Sequence, residues 1–286
     1  MNKQGKHGIE WTDYTLNQMT GCLNGCEYCY ARRIATRFNK RYLSNPNVAA
    51  PFSGGSYTAN ALEDPFWPRI WDDRFNPLKG YPNGTKIFLD DMSDWMGPWI
   101  PDEWKIRTLD FIKAHPQYIF QTLTKQPQNL PKWSPFPKNC HVGVTATNWL
   151  KFSDALGYLA AIEAKVKYLS FEPLLGEIKF DMLQKMLFPR VINWLIIGLQ
   201  TPYSPKTAPK IEHVREIVEA ADKAGIPIFL KNNLQPLLQQ NNHNIYSFPE
   251  WAGKQFAITG DHSLAPCGPH ANEPMRQLRQ EWPRGI

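Results

Sequence analysis

Seven short apolar stretches, most of them separated by helical patterns, constrain the fold of this chain more than anything else in it. They cover Tyr14–Thr20, Thr85–Asp90, Gln117–Thr124, His141–Thr147, Val166–Pro173, Ile192–Leu199 and Ile226–Lys231. Short, near-continuous apolar runs of this kind suit strands buried on both faces. Helical patterns lie between them at Tyr28–Tyr42, Pro101–His115, Asn148–Ala164 and Lys210–Gly225. Asp102 and Glu103 match the positive end of the second helix, and Gly225 caps the last. Strand–helix–strand alternation means right-handed crossovers and a parallel sheet. The expected fold class is therefore α/β, a parallel (β/α) barrel, full or partly open; a doubly wound open sheet is the alternative. With 286 residues the chain suits one large domain with additions. The barrel is expected over residues 1–232, with an aromatic and Pro-rich insertion at 43–84 that holds a helix or two short ones near Ala61–Phe75. Residues 233–286 form an irregular C-terminal extension packed on the barrel.

In a parallel barrel, chemistry gathers at the C-terminal ends of the strands. Cys22, Cys26 and Cys29 follow the first strand; Asp90, Asp91, Ser93 and Asp94 follow the second. Thr122, Thr124 and Lys125 end the third, Thr145 and Thr147 the fourth, and Ser170 and Glu172 the fifth. Gln200 and Thr201 follow the sixth, Lys231 and Asn232 the seventh. Loops are polar everywhere, which explains part of this pattern. It explains less well a charged residue directly abutting an apolar strand, as at Lys125, Glu172 and Lys231.

The stretch "GCLNGCEYCYARR", residues 21–33, carries three of the five cysteines within eight positions. Thiolates select zinc or iron–sulfur clusters. A structural zinc site wants four protein ligands, commonly as two close pairs. The spacing C-x3-C-x2-C supplies three, and His7, Cys140, His141 and Cys267 are the candidates for a fourth. A four-iron cluster held by three cysteines instead leaves one iron open to an outside ligand, as catalysis requires. Two functions follow from these alternatives: an enzyme with an open iron–sulfur cluster, or a zinc-containing nucleic-acid-binding module without radical chemistry.

C-x3-C-x2-C with Tyr28 before the last cysteine, in the loop after the first strand, resembles the radical S-adenosylmethionine (radical SAM) superfamily. The stretches "IEWTDYTLNQMTGC", "LTKQPQNL", "HVGVTATN", "YLSFEPLLGEI" and "INWLIIGLQ" are similar to a phage-associated radical SAM-type family of uncertain substrate. The likeness spans most of residues 9–232. A more distant similarity, in the cysteine loop alone, is to the spore photoproduct lyases, which repair DNA. The resemblance implies that Cys22, Cys26 and Cys29 hold a [4Fe-4S] cluster, that SAM is cleaved there to a 5'-deoxyadenosyl radical, and that the radical takes a hydrogen from substrate. It also implies a flavodoxin- or ferredoxin-like electron donor. Tyr28 is expected beside the cluster. Asp90, Asp91 or Ser93 replaces the Gly-Gly-Glu-type segment that receives the SAM amino group in relatives, with Asp91 favoured. Thr145 and Glu172 are expected ribose or methionine contacts, and Lys125 and Lys231 partners of a carboxylate or phosphate. Gln200 stands where relatives often carry an acid, so proton transfer there is not expected.

The net charge is +6, which suits an anionic substrate, nucleic acid among them. Arg33, Arg37, Lys40 and Arg41 recur at three- and four-residue spacing and are expected on one helical face. The insertion places Phe52, Tyr57, Phe66, Trp67, Trp71 and Phe75 among Arg69 and Arg74, a combination that stacks bases or covers a barrel edge. The N-terminus "MNKQGKHGIE" has no apolar signal region, and the longest apolar run, "WLIIGL", falls far short of a membrane span, so a cytoplasmic protein is expected.

Overall fold

The computed structural model describes all residues except 6–7, 51–60, 239, 243–244, 248, 250, 254–255, 259–263, 267–277 and 284–286. His7, Phe52, Tyr57 and Cys267 thus lie outside the described residues. The fold is α/β with a mostly parallel sheet, and it divides into two compact units.

The first unit comprises Met1–Thr145 and Gly157–Tyr168. Its strands are β1 (Asn2–Lys3), β2 (Tyr14–Leu16), β3 (Met19–Thr20), β4 (Arg69–Ile70), β5 (Lys86–Leu89), β6 (Ile119–Thr124), β7 (Cys140–Thr145) and the start of β8 (Val166–Phe171). β1 runs antiparallel along β2, and β2, β5, β6 and β7 follow in parallel. The register puts Thr15, Phe88, Gln121 and His141 in one row across four strands, so they share a face of the sheet. Phe88 packs against Trp11 with ring centroids 4.6 Å apart. Gly143 is required beside them: a Cβ there would come within 2.2 Å of the Tyr168 ring.

The first strand is shorter than expected. It stops at Leu16, and Met19–Thr20 pairs with Arg69–Ile70 of the insertion instead. The cause is local side-chain bonding that competes with the ladder. Asn17 accepts the Met92 N–H (2.9 Å), and Asp90 accepts the Met19 N–H (2.8 Å). The helix expected over Tyr28–Tyr42 is also divided, into α1 (Tyr30–Arg37) and α2 (Asn39–Leu43), at Phe38. Arg33 and Arg37 therefore sit on one helix and Lys40 and Arg41 on the next, not on one continuous face.

No α-helix forms over Ala61–Phe75; the insertion has β4 and, at the end of that stretch, one short 3-10 helix at Asp72–Phe75. Arg69 organises it. Fully buried, its guanidinium donates to the carbonyls of Asn45, Asp64, Trp67, Ala61 and Leu62 at 2.8–3.4 Å. Phe66 and Trp67 are buried in the same region, which removes them as stacking surfaces. α3 (Asp102–Ala114) forms as expected and buries Leu109, Phe111 and Ile112.

The second unit comprises Ala146–Leu156 and Leu169–Ile286. It holds the end of β8, β9 (Trp194–Ile197) and β10 (Ile228–Leu230); β9 and β10 are parallel. α4 (Trp149–Ala160) starts in this unit, where the Asn148 side chain accepts the Lys151 N–H. α5 (Met182–Val191) has no counterpart in the expected elements, because Pro189 breaks the helical pattern from inside. α6 (Ile211–Ala224) buries Val214, Ile217, Val218 and Ala221, a 3–4–7 stripe, and ends at Gly225 with φ 67°. Part of the tail is ordered against β10: Leu230 N–H bonds Arg279 O, and Glu281 N–H bonds Ile228 O. None of the described helices is long and apolar enough to cross a membrane.

Candidate functional site

The cysteine loop leaves the sheet beside the end of β5. Gly21 and Ser93 continue the parallel pairing as a bridge, and the Ser93 hydroxyl donates to Gly21 O at 2.7 Å. Gly21 has φ 92°, and a Cβ there would lie 2.3 Å from Trp67 O, so only glycine fits. Cys22 N–H then bonds Phe66 O, and Cys22 and Cys29 pack against the apolar cluster of Ala31, Ala35, Tyr42, Phe66 and Met92. The Cys22 sulfur accepts the Asn24 N–H (3.4 Å). The Cys29 sulfur accepts the Arg32 N–H (3.3 Å) and serves as the N-cap of α1. Among the described residues, no three His, Cys, Asp or Glu side chains form a preformed metal-holding group.

Asp94 ties this loop to the next strand end. One carboxylate oxygen accepts the Thr124 hydroxyl (2.6 Å); the other accepts Asn24 Nδ2 (2.7 Å) and the Lys125 N–H (2.8 Å). Gln126 Nε2 donates to the Asn24 side chain and closes the network. Burial, with Asp94 adding to it, pushes the Cys22 thiol up to about 12. Burial also raises the Tyr28 phenol, which lies beside Cys26.

Asp90 and Asp91 differ sharply. Asp90 has φ 57° and is buried; one of its oxygens accepts the Met19 N–H, and the other has no partner among the described residues. Burial raises its carboxyl to about 7. Asp91 accepts Asn17 Nδ2 (2.7 Å) and lies 3.4 Å from the Tyr30 hydroxyl; burial raises its carboxyl, while bonds from Asn17, Tyr30 and Thr15 oppose the rise. Asp91 lines a cavity of about 700 Å³ together with Asn17, Arg41, Arg74 and Phe38. The rest of the basic set, Arg33, Arg37 and Lys40, is exposed on the two short helices. Tyr30, Ile34 and Phe38, four residues apart, are exposed as well. Thr145 is buried at the end of β7, its hydroxyl without a partner among the described residues. Sequence reasoning missed Asn17, Asn24 and Tyr30 as parts of this site, and named Thr124 only as one of the strand-end residues. Their signal was position alone, next to the cysteines or at a strand end.

In the second unit, Glu172 and Lys231 form an ion pair with each other, each one residue past its strand. Gly198 lies against both: a Cβ there would come within 3.0 Å of the Lys231 side chain and 3.4 Å of Glu172. Gln200 accepts the Thr207 hydroxyl (3.0 Å).

Fold and site define a class: a mostly parallel α/β protein whose first parallel strand leads into a three-cysteine loop braced by an acidic segment. The chain belongs to the family described as "Protein of unknown function (DUF5131)", which matches residues 6–245. No curated protein matches it. Solved structures of spore photoproduct lyase are similar at low identity. A cysteine-to-serine variant of that enzyme is 12% identical with a TM-score of 0.45, over 80% of this chain and 79% of the other. The lyase complexed with dinucleoside spore photoproduct is 13% identical with a TM-score of 0.42, over 86% and 72%. A double variant with bound AdoMet and dinucleoside spore photoproduct is 12% identical with a TM-score of 0.41, over 86% and 72%.

Proposed function

We propose that this protein is a radical SAM enzyme with an anionic substrate of the nucleic-acid or nucleotide class. One observation carries the reading: three thiols on one short loop, directly after the first parallel strand, with Cys22 and Cys29 packed on an apolar cluster whose Tyr42 and Met92 also line the cavity that holds Asp91. The donor set fits a [4Fe-4S] cluster in its chemistry. Two of the sulfurs accept backbone N–H bonds, Cys22 from Asn24 and Cys29 from Arg32 at the N-terminus of α1, which orient them on the loop. When bound, the cluster and SAM supply a reducing electron and a hydrogen-abstracting radical.

The residues of the chain position and shield. Cys22, Cys26 and Cys29 hold three irons, with Tyr28 beside them. Asp91 receives the SAM amino group, in preference to Asp90, which is buried away from solvent, and Ser93, whose hydroxyl donates to Gly21 O. Thr145 and Lys125 remain candidate cofactor contacts. Glu172 and Lys231 act as a pair, not as separate contacts. The exposed Tyr30–Ile34–Phe38 stripe and the basic residues Arg33, Arg37, Lys40 and Arg41 favour entry of a negatively charged, base-bearing partner along α1 and α2. A flavodoxin- or ferredoxin-like protein supplies the electron. The body of the enzyme is a partly open (β/α) barrel over residues 1–232, with 233–286 as its extension.

The test is anaerobic reconstitution with iron and sulfide, followed by metal counting and assay for 5'-deoxyadenosine. The expected result is about four irons per chain and SAM cleavage, both lost in Cys22→Ala, Cys26→Ala and Cys29→Ala. A full cluster in any of the three variants, or a colourless zinc protein, refutes the assignment.

A further inference from the structure

Past the ends of β9 and β10, the second unit has a pocket of about 490 Å³. Its described lining includes four carboxamides, from Gln200, Asn232, Asn233 and Gln235, with the Thr201 hydroxyl and the Tyr203 ring; no charged side chain lines it. A phosphate, carboxylate or ammonium group would find no counter-charge in that lining, which favours a neutral occupant. Carboxamides present a donor and an acceptor side by side, the arrangement that nucleobase edges match. Tyr203 is 48% exposed and offers a face for stacking. The volume sits near the low end for small-molecule sites and suits a base with its sugar.

Two of the lining groups are held in place. Asn233 accepts the Leu199 N–H (3.1 Å) and donates to Leu199 O (2.8 Å), as a neighbouring strand would. Gly198 leaves room for that fork, since a Cβ there would lie 3.2 Å from Asn233 Oδ1. The Gln200 oxygen is engaged by Thr207, so its NH2 is the end left for a ligand acceptor.

We infer that this pocket binds a nucleobase of the substrate, recognised by Gln200 and Gln235 and stacked on Tyr203. The inference deepens the nucleic-acid or nucleotide reading and rests on it. It also accounts for the amide at Gln200: the position recognises a neutral group and moves no proton.

The test is calorimetric titration of the full chain, before and after reconstitution, with adenosine, guanosine, cytidine and thymidine. Ribose and SAM serve as comparison ligands. Saturable binding of at least one nucleoside is expected, with ribose not binding and the affinity unchanged from low to moderate salt. Gln200→Ala and Gln235→Ala should each weaken it about tenfold, with circular dichroism and SAM affinity unchanged. Four things would overturn the inference: no nucleoside binding, ribose binding as well as the nucleosides, unchanged affinity in both variants, or an equal loss of SAM affinity. Because the titration does not need the cluster, variant-sensitive nucleoside binding in a protein that takes up no iron would sink the radical reading and leave this one standing.

Discussion

Removing the Asp94 carboxylate should cost about as much stability as removing a core side chain, while changing its charge alone should cost little. Asp94 is 4% exposed and accepts three hydrogen bonds, from Thr124, Asn24 and Lys125. A hydrogen bond to a charged group contributes about 1.5–3 kcal/mol. The three are not additive, because they share one acceptor. Asp94→Ala leaves the Lys125 N–H without a partner and releases Asn24, so the expected loss is about 3–5 kcal/mol. Asp94→Asn behaves differently. Its oxygen can face Lys125 and Asn24 while its NH2 faces Thr124, whose hydroxyl rotates and accepts. Only charge assistance is lost, about 1 kcal/mol. Urea denaturation of the two variants and wild type measures both values. Iron content after reconstitution should follow the same order, since Asn24 tethers the cysteine loop. A loss under about 1 kcal/mol for alanine, or equal losses for alanine and asparagine, would refute the reasoning.

Arg69→Met should remove the donor that five carbonyls share, costing about 3–5 kcal/mol and opening the insertion to limited proteolysis; unchanged cleavage would count against the buried-staple account. Binding of labelled single-stranded oligonucleotides should weaken with salt by a log–log slope of roughly −0.7 per phosphate contact, and Arg33→Gln, Arg37→Gln and Arg41→Gln together should flatten the slope; an unchanged slope excludes that face. His141 is buried and held down at about 4, so its contribution is full above its ordinary value near 6.5 and is lost as pH falls toward 4, about 3 kcal/mol in all. Asp90, raised to about 7, acts oppositely: its contribution is full below about 4 and lost as pH rises to 7, about 4 kcal/mol. Denaturation curves between pH 4 and 7 should therefore be nearly flat for wild type and rise with pH in Asp90→Asn; a flat variant curve defeats the assignment. Asp91→Asn should weaken SAM binding at least tenfold, with Asp90→Asn near wild type; the reverse order would reassign the contact.

Much of this arrangement was legible because a parallel strand announces itself as a short apolar run and its end as the next polar residues. That placed Asp91, Ser93 and Lys125 beside the cysteine loop. α3 and α6 were legible because each carries a full apolar stripe and end signals. The failures share one cause: they depend on partners remote in sequence. Asp94 bonds residues 30 and 70 positions away, which no local pattern displays. Asn17 reads as the interior of a strand until its side chain is seen to stop that strand. Arg69 reads as a stacking cation among aromatics, and becomes a buried staple only once five carbonyls converge on it. α1 and α2 divide at Phe38, which carries neither the Gly nor the Pro that marks a break. Pro189 had the opposite effect and hid a helix that forms around it.

On the radical SAM reading proposed above, the segment Asp90–Asp94 holds the candidates for the SAM contact. Its four hydrogen-bonding side chains have different occupations. Ser93 is spent on Gly21, and Asp94 on three donors. Asp90 has one oxygen without a partner but is sealed, and its raised carboxyl is half protonated near neutrality. A cation there would need a path through Met19 and the sheet end. Asp91 lines the cavity of about 700 Å³. Bonds from Asn17, Tyr30, Thr15 and its own backbone N–H engage its carboxylate, and burial raises it. An ammonium group beside it would offset that burial with its charge. On that reading the aspartate that matters is held through Asn17, the residue directly after the first parallel strand.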